Sequence, residues 1–410
     1  MSQVSASRSS PTPPTLAGNA SDGLSDPSLA RPANDAVAPA PPKPDLAKKP
    51  EWTPRMWEGC DFFSWLGLLF RHRFAVQPRY WYIAIIITFV SFTHTLLRLV
   101  QDAIFGNAIR RTELKGPPIF ILGHWRTGTT LLHEFMICDE RFGYPTTYEC
   151  IDPHDFLLTE PIFQRWLPFL MSSSRPMDNM KAGFDRPQED EFALCMMGAG
   201  SPYTMLAFPN DPPEGQEFLD LETITPKQLR RWKRAFKRFL KCVTYKSGKR
   251  LVLKSPPHTA RIKTLKAMFP QAIFIHIVRD PYVVFPSTVN LWKTLQRTHC
   301  LHTPTHAGVE EYVLQTFAHL YAKLEEGKKL LDPGQVYEVR YEDLTKNPAG
   351  EMKKIYDHFQ LGGFDAFLPR LQAYLATVKA YETNKYQLTE AQKAEIARRW
   401  ADVITRYGYG

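Results

Sequence analysis

Residues 117–136 read PPIFILGHWRTGTTLLHEFM and contain the strongest structural signal in the chain. The segment 117–122 is short and apolar, which predicts a buried strand, and 130–138 has the pattern of a helix. The loop between them carries Gly123 and Gly128 in a G-x-x-x-x-G layout. Such a loop cradles phosphate, because glycine lets the backbone approach an anion and the helix N-terminus directs N–H groups towards it.

The loop departs from that of a nucleoside triphosphatase. Such an enzyme has lysine after the second glycine to reach the β- and γ-phosphates, whereas Thr129 stands here. The nearest cation is Arg126, two residues before Gly128. We therefore expect a phosphate-bearing ligand that is not bound in an ATP–magnesium geometry, which disfavours a P-loop kinase.

The same strand–helix alternation continues along the chain. Short apolar runs at 250–253, 272–278 and 336–339 predict further strands, and helical patterns cover 226–245, 259–268, 281–296, 310–331 and 348–359. This order predicts an α/β domain with a central parallel sheet flanked by helices.

A second anion site is predicted where the strand 272–278 ends. Arg279 follows the strand, Asp280 and Pro281 suit the start of a helix, and Ser287 lies about two turns into it. Ligands of open α/β sheets bind at the carboxyl ends of the strands. Both loops therefore belong to one edge of the sheet.

Two phosphate sites without the triphosphate lysine resemble the sulfotransferase family, over about residues 115–362. The resemblance implies a P-loop-like fold and 3′-phosphoadenosine 5′-phosphosulfate as sulfuryl donor, without a metal. It implies binding of the 5′-phosphosulfate by Arg126, Thr127, Gly128, Thr129 and Thr130. It also implies binding of the 3′-phosphate by Arg279 and Ser287.

The motifs R-P-x-E-D-E at 186–191 and L-K-S-P-x-H at 253–258 resemble a bacterial branch of the family. Lys254 ends a predicted strand, where its charge would stabilise the bridging oxygen as the sulfuryl group leaves. Arg126 counts as both a binding and a catalytic residue. The acceptor hydroxyl also needs a general base, for which Glu149 is slightly preferred over His258.

The acids of the first motif are a third option for the base. Glu189, Asp190 and Glu191 are adjacent, and such a run more often places negative charge at a helix N-terminus, here with Arg186 as an expected ion-pair partner. A metal site formed by His299, Cys300, His302 and His306 is not expected, because they lie in a predicted loop without a ligand pattern. The six cysteines are scattered, which indicates neither a disulfide framework nor a zinc finger.

The N-terminal part differs from the rest of the chain. Residues 1–50 hold ten of the 34 prolines and are predicted to be disordered, 51–112 to form a membrane-associating helical segment, and 113–410 to form the catalytic domain. Residues 80–97 carry no formal charge, yet Thr88, Ser91, Thr95, Arg98 and Asp102 form a polar stripe. The stripe favours a helix in the membrane plane, or docked on the domain, over a spanning one. In the membrane plane, the stripe is expected to face water or headgroups.

These observations predict a sulfotransferase acting on a hydroxyl or amine of an acceptor, such as a lipid or a membrane-presented glycan. The net charge of +9 suits anionic partners. We expect a membrane surface rather than nucleic acid, and a location on the cytoplasmic face, peripheral or, as the lesser option, single-pass. The rival from another class is a membrane-tethered nucleotide-binding protein without catalysis.

Overall fold

The computed structural model describes residues 55–166, 183–377 and 387–409. The disorder predicted for 1–50 lies outside these ranges. The α-helices are α1 (Phe62–Arg71), α2 (Trp81–Arg111), α3 (Thr129–Met136), α4 (Thr147–Ile151), α5 (Phe156–Trp166), α6 (Asp190–Met196), α7 (Pro226–Ser247), α8 (Ile262–Met268), α9 (Pro281–His299), α10 (Val309–Lys328), α11 (Tyr341–Lys346), α12 (Pro348–His358), α13 (Phe364–Thr377), α14 (Glu390–Arg399) and α15 (Ala401–Tyr407). Short 3-10 helices cover Met56–Gly59, Pro78–Tyr80, Pro202–Leu206, Gln216–Phe218 and Pro256–Ala260.

The described chain contains one parallel sheet of five strands. They are β1 (Ile119–Leu122), β2 (Phe142–Gly143), β3 (Arg250–Lys254), β4 (Ile273–Val278) and β5 (Val336–Arg340), in the order β2-β3-β1-β4-β5. Every pair is parallel, and apolar clusters cover both faces of the sheet. The predicted α/β fold with a central parallel sheet is confirmed.

The predicted elements differ from the structure mainly at their ends. All four predicted strands form, each within two residues of its expected bounds, whereas the two-residue β2 was not predicted. The helix expected at 259–268 begins only at Ile262. Residues Pro256–Ala260 before it form a separate 3-10 helix, with Pro256 and Pro257 in its first turn, where a missing N–H group is tolerated.

The polar stripe of α2 faces the protein, so the expectation that it faces water or headgroups is wrong. Thr88 Oγ1 accepts a hydrogen bond from Trp65 Nε1 at 2.8 Å, and Thr95 Oγ1 accepts one from the Phe62 N–H at 2.9 Å. The apolar residues Ile85 and Phe89 are exposed instead, at 64% and 73%. The hydroxyls are bonded to the protein, and this packing turns the apolar side outwards.

Candidate functional site

The glycine-rich loop lies between the end of β1 and the start of α3, as predicted. Gly123 and Gly128 have φ angles of +151° and +101°, and Arg126 adopts a left-handed φ of +71°. A Cβ on Gly128 would lie 2.3 Å from the Tyr341 ring, so only glycine fits there. The loop is braced from β3's side by the Thr259 hydroxyl, which accepts the Gly123 N–H at 2.8 Å.

The two hydroxyl-bearing residues beside Gly128 have different surroundings. Thr127 is fully buried, and its hydroxyl donates to the His124 carbonyl at 2.7 Å, so this side chain shapes the loop. Thr129 and Thr130 form the first turn of α3, with Gly128 as its left-handed N-cap residue. An N-terminal turn directs backbone N–H groups outwards, which suits an anion.

The two predicted anion-binding loops meet directly. Arg126 Nε donates to Ser287 Oγ on α9 at 2.8 Å, and an Arg279 guanidinium nitrogen donates to the Arg126 carbonyl at 3.0 Å. Both loops follow neighbouring strands, because β1 and β4 pair in parallel register. The donor set of two guanidinium groups, a helix N-terminus and hydroxyls is chemistry that suits phosphate or sulfate groups.

Tyr341 at the start of α11 lies at the same edge of the sheet. Its ring lies against Gly128 and stacks under the Arg279 guanidinium, 4.0 Å from the ring centroid. Burial of this kind fixes the direction of a guanidinium group. Neither the left-handed conformation of Gly128 nor its contact with Tyr341 could be foreseen, because the two residues lie more than 200 positions apart in the chain.

Lys254 is 1% exposed at the end of β3, where it pairs with Ile121 of β1. Its Nζ donates to Glu189 Oε1 at 2.9 Å. The other oxygen of Glu189 accepts a hydrogen bond from the Tyr203 hydroxyl, and Tyr203 in turn accepts one from Trp125 Nε1 at 2.8 Å. Burial and the nearby Glu189 raise the pKa of Tyr203 well above 10, so its hydroxyl keeps its proton. A continuous network thus joins the glycine-rich loop to a lysine–carboxylate pair.

The next two acids of the run form separate, fully buried pairs. Asp190 Oδ2 lies 2.7 Å from His258 Nε2, and Glu191 holds Arg261 through two contacts, one of them 3.0 Å long. Burial opposes ionisation of Asp190, but its contacts with His258 outweigh that effect and lower the pKa. The predicted charge cluster at a helix start is confirmed, since α6 begins at Asp190.

One expectation for this region is wrong: Arg186 does not pair with the acid run but with Glu134 of α3. His258, a predicted candidate base, has a fully buried side chain whose Nε2 lies 2.7 Å from Asp190 Oδ2.

Glu149, the slightly preferred base, lies in the first turn of α4. Its carboxylate accepts the Thr146 N–H at 2.9 Å and a hydrogen bond from Lys246 Nζ at 2.8 Å, and the residue is 2% exposed. Burial raises its pKa above the ordinary value, although Lys246 acts in the opposite sense. Its hydrogen-bond partners, Thr146 and Lys246, differ from Glu189, the hydrogen-bond partner of Lys254.

The histidines and cysteine at 299–306 do not converge. His299 accepts the Met56 N–H, His302 accepts the Asn210 N–H and His306 contacts Gln296, each on a separate partner. Among the residues that the structure describes, one other group has metal-ligand chemistry, formed by His94, Asp152 and Asp155, with ligand atoms within 4.8 Å of one another.

Comparison with known proteins agrees with this geometry. A model of the sulfotransferase family matches residues 117–366. Two curated proteins, both described as omega-hydroxy-beta-dihydromenaquinone-9 sulfotransferase Stf3, from Mycobacterium bovis and Mycobacterium tuberculosis, are 50% identical over 364 residues, covering 89% of this chain and 94% of theirs.

Two crystal structures share the fold. Sulfotransferase STF9 from Mycobacterium avium matches with a TM-score of 0.59 at 19% identity, over 78% of this chain and 85% of its own. Sulfotransferase STF1 from Mycobacterium tuberculosis H37Rv matches with a TM-score of 0.56 at 18% identity, over 83% and 92%.

Proposed function

The chain belongs to the sulfotransferase family and is an enzyme of sulfuryl transfer, and we propose that its donor is 3′-phosphoadenosine 5′-phosphosulfate. Bound, this nucleotide supplies an activated sulfuryl group. Arg126 and the α3 turn at Thr129 and Thr130 would hold the phosphosulfate end, and Arg279 with Ser287 the 3′-phosphate. The hydrogen bond between Arg126 and Ser287 supports a single site with two anion-binding ends.

We assign the chemistry to Lys254 and Glu189. Glu189 takes the proton from the acceptor hydroxyl as the oxygen–sulfur bond forms, and Lys254 stabilises the negative charge on the departing bridging oxygen. The contact of 2.9 Å between them carries this assignment. Glu189 replaces Glu149 and His258 as the base because its side chain is 15% exposed and belongs to the network that reaches the glycine-rich loop.

For the acceptor we propose a lipid alcohol at a membrane surface. The curated relatives carry the name of a menaquinone sulfotransferase, and half of the aligned residues are identical. The exposed apolar side of α2 supports a membrane partner. All six cysteines are unpaired thiols, which supports the cytoplasmic face.

The experiment is a transfer assay in which purified protein, vesicles containing a hydroxylated polyprenyl quinone and the proposed donor are incubated and extracted for mass spectrometry. We expect a product heavier by one sulfuryl group, with adenosine 3′,5′-bisphosphate formed in equal amount. Lys254→Met serves as the catalytic control. A protein that binds the bisphosphate but sulfates no lipid, glycan or protein extract would support the alternative, a nucleotide-binding protein without catalysis.

A further inference from the structure

The helices α1 and α2 and the turn that follows α1 expose a set of large apolar side chains to solvent, which we call the outer face. It consists of Phe63, Phe70 and Phe74 with Trp81, Tyr82, Ile85, Ile86, Phe89, Phe92, Leu96, Leu99, Val100 and Ile104. Phe63 and Phe89 are each 73% exposed, and Phe70 is 65% exposed. Soluble monomers rarely expose an apolar surface of this extent, and such surfaces mark interaction sites.

The opposite side of α2 is bonded to the rest of the protein along the middle of the helix. Thr88 binds the Trp65 indole, and Gln101 both donates to the His154 carbonyl at 2.7 Å and accepts the Leu157 N–H at 2.9 Å. Asp102 pairs with Arg238 of α7. From Thr88 to Asp102 these contacts extend over about 21 Å of helix.

This bonding decides between crossing a membrane and lying on it. Among the described residues one helix, Pro78–Arg111, is long and apolar enough to cross. If it crossed, His94 and its partner Asp155 at 3.0 Å would lie in hydrocarbon together with the Asp102–Arg238 pair. Moving these charges out of water costs several kcal/mol per group, and breaking their contacts would cost more. One side of α2 therefore has to remain on the protein.

We infer that α2 lies flat in one leaflet of an anionic membrane, with the outer face in the acyl chains. The inference deepens the proposed function, because it states how the enzyme meets a lipid acceptor. The charges match an anionic surface: Arg73 and Arg79 lie exposed before α2, and Arg110 and Arg111 end it. Between them, residues 80–97 carry no formal charge. A protein partner would have to present an apolar face of similar length that carries no charged groups opposite residues 80–97.

The outer face also holds an apolar groove suited to a lipid chain. Phe62, Ile85, Thr88, Phe89 and Phe92 line this groove of about 360 Å³ between α1 and α2. A hydrocarbon chain of the leaflet can occupy it without any polar group being left unpaired, since the Thr88 hydroxyl is bonded to Trp65 and to the Ala84 carbonyl.

Helix α6 connects this surface to the proposed base. Glu189 precedes the first residue of α6, and beyond its end a Cβ on Gly198 would lie 2.0 Å from Ser64 Oγ of α1. The seven residues of α6 correspond to about 10 Å of helix between the proposed base and this contact with α1.

The test measures depth in the bilayer. Leu96 is the middle residue of α2 and is 48% exposed. The Leu96→Cys variant of the full chain is labelled with an environment-sensitive fluorophore and mixed with preformed vesicles of phosphatidylcholine and phosphatidylglycerol, brominated either near the headgroups or near the chain ends. A helix in the membrane plane lies about 5–10 Å into the boundary region, so shallow bromines should quench at least twofold more than deep ones. Leu330→Cys, 51% exposed on a different surface, is the matched control and should not be quenched.

The other outcomes overturn the inference. Stronger quenching by deep bromines would mean a spanning helix, because its middle residue would then lie at the bilayer centre. If the protein does not bind the vesicles at low salt and instead self-associates at the labelled position 96, the outer face is covered by a second copy of the chain. Binding should also fall about fivefold for each of Arg73→Gln, Arg110→Gln and Arg111→Gln. Affinity for adenosine 3′,5′-bisphosphate is measured in the same samples, so a failed membrane result with intact nucleotide binding leaves the proposed function standing.

Discussion

The assignment of the general base can be tested with two isosteric variants, Glu189→Gln and Glu149→Gln. An amide cannot accept a proton at neutral pH, and general bases contribute about 10²–10⁴ to the rate. We therefore expect Glu189→Gln to lower kcat by about 10²–10⁴, which corresponds to roughly 2.7–5.4 kcal/mol of barrier.

The structure also sets what this variant should leave unchanged. The amide oxygen of a glutamine at position 189 can accept the hydrogen bond that Lys254 Nζ now donates at 2.9 Å. The Tyr203 hydroxyl loses an acceptor and the buried Lys254 loses its counter-charge, so the free energy of unfolding should fall by about 3–5 kcal/mol. Binding of adenosine 3′,5′-bisphosphate should stay within threefold of the wild type.

Glu149→Gln is expected to lower stability and to leave turnover nearly unchanged. Its carboxylate caps α4 and pairs with Lys246, so the loss should appear in the melting temperature and leave kcat within about threefold. Single-turnover transfer, thermal unfolding and bisphosphate titration are measured on both variants. A folded Glu149→Gln protein that loses turnover by more than 10², beside an active Glu189→Gln protein, would refute the assignment and restore Glu149.

Three further predictions concern the charged groups. Lys254→Met should bind the bisphosphate within several-fold of the wild type but transfer sulfuryl at least 10²-fold more slowly; a rate within tenfold would make Lys254 structural. Arg279→Ala should weaken bisphosphate binding by about 1.5–3 kcal/mol while ATP stays a poor ligand, and calorimetry showing unchanged affinity would exclude it from the site. His94 is partly buried, which lowers its pKa, but Asp155 and Asp152 outweigh this effect and raise it. The stabilisation by charged His94 is complete below the pKa of the unfolded state and is lost as the pH rises through the raised pKa of the folded state. The difference in melting temperature between the wild type and His94→Gln should therefore be larger at pH 6 than at pH 9. A difference that does not change with pH would contradict the ion pair.

The sequence predicted what depends on local pattern. Four apolar runs bounded by breakers became strands, and both anion-binding loops lie where the parallel sheet requires them. Residues such as Gly128 and Arg279 carry their chemistry in their own type and in their position after a strand. These features need no knowledge of distant contacts, and that is why they could be placed.

Contacts between distant segments were not predictable in the same way. Glu189 and Lys254 are 65 residues apart, and Tyr203 enters the network from a 3-10 helix that no periodicity signals. The prediction of the orientation of α2 was wrong for a related reason. A polar stripe on an apolar helix fits either water or a polar partner surface, and only the position of Trp65 and Asp155 decides which.

The two sequence motifs pair with each other residue by residue, and this pairing supports Glu189 as the proposed base. The three consecutive acids of 189–191 each pair with a different basic residue of the segment 254–261: Lys254, His258 and Arg261 in the same order. Asp190 and Glu191 are fully buried with theirs, so they fix α6 against the turn after β3. Glu189 lies at the end of this row, outside the helix, with a partly exposed side chain. The buried pairs Asp190–His258 and Glu191–Arg261 therefore hold the Glu189–Lys254 pair in place. A general base requires this, because its carboxylate has to stay within hydrogen-bond reach of the acceptor hydroxyl.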